Sequence, residues 1–241
     1  NFFSANFIMC GIAGILAPSK IKKDIFLKNL QLMSTSMGRR GPDNQGLWLD
    51  NNLKFGCMHN RLSIIDLSSS ANQPMISSDQ RYVLSYNGEI YNHLKIRREI
   101  QEEIFGDLNW KTTSDTETLL KAIEIWGLED TLNRICGMFA FSIWDRKNLT
   151  LSLARDRFGE KPLYWGLVKD KNISNDTSFV YASDISAFES LKALNLEVSS
   201  SAFFSFVEKG YISSPLSIYQ DIYQLEPGSF LTFQSKSLEN N

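Results

Sequence analysis

The sequence predicts an α+β fold in which antiparallel sheets are flanked by helices. Three observations carry this. Most strand-like runs are joined by short polar turns, which only antiparallel neighbours allow. Helical patterns fall between them without a regular βαβ alternation. Neither a G-x-G-x-x-G nor a G-x-x-x-x-G-K-[ST] string occurs, so no nucleotide-binding doubly wound sheet is indicated. At 241 residues, with 43% hydrophobic and 12% aromatic residues, the chain is long enough for one large or two small domains with a sizeable core.

Taken in order, the first apolar run spans Phe7 to Ala17. It is shorter than the roughly 20 residues of a spanning helix and lacks a basic leader. Met9 before Cys10 also departs from a lipoprotein signal, which has a small residue there. A helix is predicted after Asp24 as N-cap, with Phe26, Leu30, Met33 and Met37 on one face, stopping at Gly38 to Pro42. Leu47–Leu49 and Leu53–Phe55 read as strands turning at Asp50-Asn51-Asn52, and Arg81–Tyr86 as a strand stopping at Asn87-Gly88. Ile96, Ile100 and Ile104 mark a second helix. Ser114 and Glu117 form a predicted capping box for a third, with Leu119, Ile123 and Trp126 inward.

Met138–Trp144 and Leu149–Leu153 read as a hairpin across Asp145–Asn148, and Pro162–Val168 with Ser178–Ala182 as another. Short helices are expected over Ser183–Leu194 and Ser200–Glu208, then a turn at Glu226-Pro227-Gly228 and a strand, Phe230–Phe233.

With 25 basic and 27 acidic residues the net charge is −2, which gives no basic footprint for nucleic acid or an anionic membrane. Cys10, Cys57 and Cys136 form no CxxC pair, and His59 and His93 add no zinc spacing. An odd, scattered cysteine set fits a reducing compartment, so a cytoplasmic location is expected. Cys57 and Cys136 read as core thiols.

Cys10 is different, although a lone cysteine in an apolar run is commonly an inert filler. It follows Met9 and precedes Gly11, so a start at Met9 with loss of that methionine would leave it as the first residue. An N-terminal cysteine carries its own base, because an α-amine with a pKa of about 7.7–8.0 can accept the thiol proton. An internal cysteine has only an amide there.

The ordered strings Met9-Cys10-Gly11-Ile12-Ala13-Gly14, Arg40-Gly41-Pro42-Asp43, Arg61 to Asp66, Asn87-Gly88-Glu89-Ile90-Tyr91-Asn92, Ser114 to Glu117, Gly137 to Phe141 and Arg155 to Gly159, with Lys161-Pro162-Leu163-Tyr164 beyond, run through nearly the whole chain. Together they resemble the glutaminase domain of glutamine-hydrolysing asparagine synthetase, a class II glutamine amidotransferase. The resemblance implies the N-terminal nucleophile hydrolase fold, a four-layer αββα sandwich of two antiparallel sheets. It implies hydrolysis of glutamine to glutamate, with ammonia passed to a synthetase domain.

By that resemblance Cys10 is the nucleophile, and the Asn87 side chain with the Gly88 backbone N–H forms the oxyanion hole. Arg61, Leu62, Ile64, Glu89 and Asp115 bind substrate, with Arg61 on the α-carboxylate and Asp115, assisted by Glu89, on the α-ammonium. On its own, Asn87-Gly88 reads as an ordinary turn, and Asp115 as a carboxylate at the positive end of a helix. The expected organisation is an N-terminal extension or start region over 1–9, the amidotransferase domain over 10–233, and a linker over 234–241 toward a synthetase domain. No cofactor is expected in this domain. ATP and magnesium belong to the synthetase part, whose Ser-Gly-Gly-x-Asp-Ser type loop does not occur here. The expected partners are glutamine and that synthetase domain, a homodimer is compatible, and neither nucleic acid nor a membrane is expected. An ammonia donor for another acceptor, or a non-catalytic docking scaffold, are the alternatives.

Overall fold

A computed structural model describes residues 9–63, 65–104, 108–169, 177–192 and 194–238. Eleven strands and five α-helices are assigned in them. The strands are β1 (Gly11–Leu16), β2 (Asn44–Leu49), β3 (Phe55–Arg61), β4 (Met75–Ile76), β5 (Tyr82–Ile90), β6 (Gly137–Asp145), β7 (Thr150–Arg155), β8 (Tyr164–Lys169), β9 (Thr177–Ala182), β10 (Ile222–Gln224) and β11 (Phe230–Gln234). The helices are α1 (Lys23–Ser36), α2 (His93–Glu103), α3 (Asp115–Arg134), α4 (Ser186–Ser190) and α5 (Ser200–Lys209).

One sheet has the order β10-β8-β9-β1-β3-β2 and the other β11-β7-β6-β5-β4, with every pairing antiparallel. Strand alternation builds the layers. On β1, Ile12 and Leu16 point into the space between the sheets, where Phe55, Trp144, Leu153 and Phe179 meet them. Ala13 and Ile15 point the other way, under α1 and α4, against Phe26, Leu30, Met33 and Phe188. On the far side Leu119, Leu120 and Ile123 of α3 cover Leu84, Tyr86 and Phe141 of the second sheet. The result is helix, sheet, sheet, helix, the expected αββα sandwich.

Every residue of β1 is buried because both its faces are covered, so it reads in sequence as one apolar run without a two-residue period. Four expectations are corrected. Lys22, not Asp24, is the N-cap of α1, and Asp24 sits in its first turn. Ser114 does cap α3, accepting from Thr116 N at 3.1 Å, but the Glu117 carboxylate instead takes Lys111 N and Thr112 N, at 2.9 and 2.8 Å. Cys57 is buried, whereas Cys136 is exposed. Finally, β5 does not stop at Asn87-Gly88: it runs through to Ile90, with Asn87 opposite Ala140 and Gly88 opposite Phe139.

Candidate active site

Cys10 immediately precedes β1 and lines a cleft of about 370 Å³. The cleft brings together Cys10, Arg61, Leu62, Asn87, Gly88, Glu89 and Asp115, drawn from four segments of the chain and both sheets. Ile64 lies outside the described residues. Tyr86, Gln73 and Lys161 also line the cleft and were not among the sequence candidates.

The Cys10 Sγ is bracketed by one residue. Leu62 N donates to it at 3.3 Å, and the Leu62 carbonyl lies at 3.6 Å, placed to accept the S–H. Burial pushes the Cys10 thiol up, against the opposing pull of the Leu62 amide, Arg61 and Lys161. The group is therefore a thiol at neutral pH, and the carbonyl beside it has no capacity to take its proton.

The end of β5 offers two donors. Asn87 is 2% exposed, and its Nδ2 has no hydrogen-bond partner. Amides of an antiparallel strand point alternately to its two neighbours. Tyr86 N donates to Gln73 Oε1 at 2.7 Å and Ile90 N to Asp115 Oδ2 at 2.9 Å, so both face away from β6. Gly88, two residues from each, faces the same way. Its opposite number confirms this: Phe139 gives its N–H to Asp156 Oδ2 at 3.1 Å and receives Asp156 N at 2.8 Å, turning both groups toward β7. The other neighbour, β4, pairs only with Val83 and Leu84, so the Gly88 amide opens onto the cleft. Glycine is also required sterically, since a Cβ at position 88 would lie 2.3 Å from Met138 O and 2.7 Å from Phe139 Cα.

Arg61, at the end of β3, is 6% exposed. Its Nη1 donates to Ser68 O at 2.9 Å and Asn72 Oδ1 at 2.6 Å, and its Nη2 to the Asp66 carbonyl. Three of five guanidinium protons thus anchor the 66–72 loop, and two remain uncommitted among the described residues. Asp115, the first residue of α3, uses Oδ2 for Tyr86 Oη at 2.6 Å and for Ile90 N. Its Oδ1 has no described partner. Burial first, and then the Asp115 charge, push the Tyr86 phenol well above its usual value, so it stays a donor.

Tyr86 ties the layers together, because its carbonyl also accepts from His59 Nε2 of the other sheet at 3.0 Å. Burial holds His59 down to about 4, so the ring is neutral. Arg40 reaches the Cys10 carbonyl with Nε at 3.3 Å and Asp184 with Nη1 at 3.4 Å.

A two-sheet sandwich with a thiol leading into a central strand, beside a cleft that has spare donors and both signs of charge, is the arrangement that the sequence's resemblance to class II amidotransferases led one to expect. The fold agrees with solved structures. A B. subtilis glutamine phosphoribosylpyrophosphate amidotransferase complexed with ADP and GMP superposes with a TM-score of 0.58 at 17% identity, covering 94% of this chain and 49% of that one. A structure described as the allosteric regulatory enzyme of purine biosynthesis gives 0.65 at 19%, covering 93% and 47%. The glutamine amidotransferase domain family matches residues 9–241, and the chain belongs to it. It is 30% identical to a putative asparagine synthetase (glutamine-hydrolyzing) of Methanocaldococcus jannaschii, over 93% of this chain and 44% of that protein. It is also 30% identical to asparagine synthetase 1 of Bacillus subtilis, over 94% and 34%. The chain therefore spans less than half the length of these relatives. Among the described residues, no helix is long and apolar enough to cross a membrane.

Proposed function

We propose that this chain hydrolyses glutamine to glutamate and ammonia, with Cys10 as nucleophile once it is the first residue. The observation that carries this reading is the meeting, in one cleft, of a half-buried thiol, an orphaned Asn87 Nδ2 and an amide at Gly88 with no strand to pair with. A buried unpaired donor costs about 1–3 kcal/mol, a cost that makes sense where charge develops during a reaction.

In the proposed reaction the free α-amine of Cys10 accepts the thiol proton, since neither group bracketing Sγ is basic. Sγ attacks the side-chain amide carbon of glutamine, and the new oxyanion rests between Asn87 Nδ2 and Gly88 N–H. The C–N bond breaks as the amine returns its proton to the leaving nitrogen, giving ammonia and a thioester. Water, deprotonated by the same amine, attacks the thioester and releases glutamate. The two spare Arg61 protons receive the α-carboxylate side by side, and Asp115 Oδ1 with Glu89 receives the α-ammonium. Leu62 fixes the sulfur, and this pairing selects a free amino acid over a peptide-bound glutamine.

The acceptor proposed for the ammonia is the ATP-dependent part of an asparagine synthetase, because the relatives carry that name and extend well beyond the matched region. In that reading 10–233 is the amidotransferase domain, 234–241 leads toward the synthetase part, and ATP and magnesium are bound there.

The test uses the chain beginning at Cys10. It is expected to release ammonia from glutamine, to gain one adduct from a diazoketone glutamine analogue by intact mass, and to lose both properties in Cys10→Ala. Ammonia release at the parent rate by Cys10→Ala would refute the mechanism.

A further inference from the structure

Lys161 is the one cationic side chain lining the cleft, among the described residues, that no role above uses. It is 8% exposed, yet its Nζ has no carboxylate within 4.0 Å among the described residues, and its hydrogen-bond neighbour is Met9 Sδ at 3.4 Å. A buried ammonium without a close counter-ion is costly. The local structure nevertheless goes to length to put it there. Asp156, 1% exposed, gathers four backbone amides: Phe158 N and Glu160 N on Oδ1, Phe139 N and Lys161 N on Oδ2, at 3.0 to 3.1 Å. Arg155 holds the other side of the same loop, donating to Lys161 O at 2.8 Å, Gly159 O at 2.7 Å and Leu225 O at 2.6 Å. The backbone of Lys161 is thus gripped at both N–H and C=O, and what the loop delivers to the cleft is the ammonium.

We propose that Lys161 is a positioning residue whose ammonium sits beside the nitrogen and sulfur of Cys10 and holds the pair in its deprotonated, attacking state. This rests on the reading of Cys10 as the nucleophile. A nearby cation disfavours a second positive charge on the α-nitrogen and favours a negative one on sulfur. Whether the active form is amine with thiol or ammonium with thiolate, it is reached at lower pH.

The direction agrees with the charges facing the two groups. Cys10 is pulled down by Arg61 from β3 and by Lys161, and pushed up by Asp115 of α3. Burial lowers Lys161, with Arg40 acting the same way and Glu160, Asp156 and Cys10 opposing. Arg61 and Arg40 are committed to carbonyl and carboxylate oxygens, as described above, so their positions answer to other partners. Among the described residues Lys161 Nζ has only the Met9 thioether, which is gone once the chain begins at Cys10 and leaves the ammonium next to the residue that followed it.

The experiment measures, for the full chain beginning at Cys10, the pH dependence of Cys10 alkylation by iodoacetamide, resolved from Cys136 and Cys57 by peptide mass. Iodoacetamide needs no glutamine clamp, so substrate binding does not enter. Lys161→Met and Lys161→Gln are expected to raise the pH midpoint by about one unit, which is about a tenfold loss of rate below it, while Lys161→Arg stays within about 0.3 unit of the parent. In turnover the acid limb of kcat/KM should move with it. An unchanged midpoint in both neutral variants, an equal shift in Lys161→Arg, or a change confined to KM for glutamine would overturn the proposal and leave Cys10 as nucleophile intact. A parent chain that takes up no label at Cys10 across the range would overturn both.

Discussion

Truncating Asn87 to alanine separates stability from catalysis in a way few buried substitutions do. The side chain is 2% exposed and its Nδ2 donates to nothing. Removing it deletes an unpaired buried donor worth about 1–3 kcal/mol of destabilisation, against the ~1 kcal/mol typical of a point substitution. The net change should stay within about 1 kcal/mol, or about 2–4 °C in Tm for a chain of this size. In the proposed transition state the same atom becomes a full donor to the oxyanion. Its loss should raise the barrier by about 2.7–4 kcal/mol, lowering kcat roughly 10²- to 10³-fold with little change in KM. The assay is ammonia release at saturating glutamine beside thermal denaturation of the same preparation. A kcat within about tenfold of the parent, a loss carried wholly by KM, or a Tm drop of roughly 10 °C would each refute the reasoning.

Three further outcomes follow from groups already described. His59 titrates near 4 when folded and near 6.5 when unfolded, so its contribution is complete above 6.5 and lost as pH falls toward 4. About 3 kcal/mol of stability should go in that window, and urea titrations of His59→Gln should show a flatter profile. Asp156→Asn turns an NH₂ group on two of the four amides that the carboxylate now satisfies, an expected cost of about 2–6 kcal/mol, read as a fall in Tm. Arg61→Lys replaces a fork that spans three loop acceptors with a point charge. KM for glutamine should rise about tenfold or more, with kcat less affected, and the 66–72 segment should be cut faster in limited proteolysis.

Helices α1, α2 and α3 and the two hairpins β6–β7 and β8–β9 were legible because their apolar spacing and polar turns are local signals. The β1 strand was not, since covering both its faces erases the alternation that marks a strand. At Asn87-Gly88 a strong turn signal was overruled by two distant partners, β6 on one side and the Asp115 carboxylate holding Ile90 N on the other. The residue types of the candidate site were visible through the family's strings. The grouping of Cys10 with Leu62, 52 positions later, and with Asn87 and Asp115 beyond, belongs to the tertiary fold alone. Lys161 was visible within one of those strings but carried no role, because a lysine beside proline looks like any surface loop, and only the buried grip of Arg155 and Asp156 distinguishes it. Tyr86 was hidden in the same way, its importance lying in three separate bonds to three separate elements.

A strand at the edge of a sheet ordinarily frays. Here β1 is an interior member of its sheet, held by β3 along its whole length and by β9 from Ala13 to Leu16, with Ile12 N and Ile12 O both tied to Ser183. Peeling it away would break both ladders and open the core on either face. Its amides should therefore exchange with solvent only through global unfolding, on the slowest timescale the protein has. A thiol mounted one residue ahead of such a strand inherits that stillness, and the proposed nucleophile is carried by one of the least yielding parts of the fold.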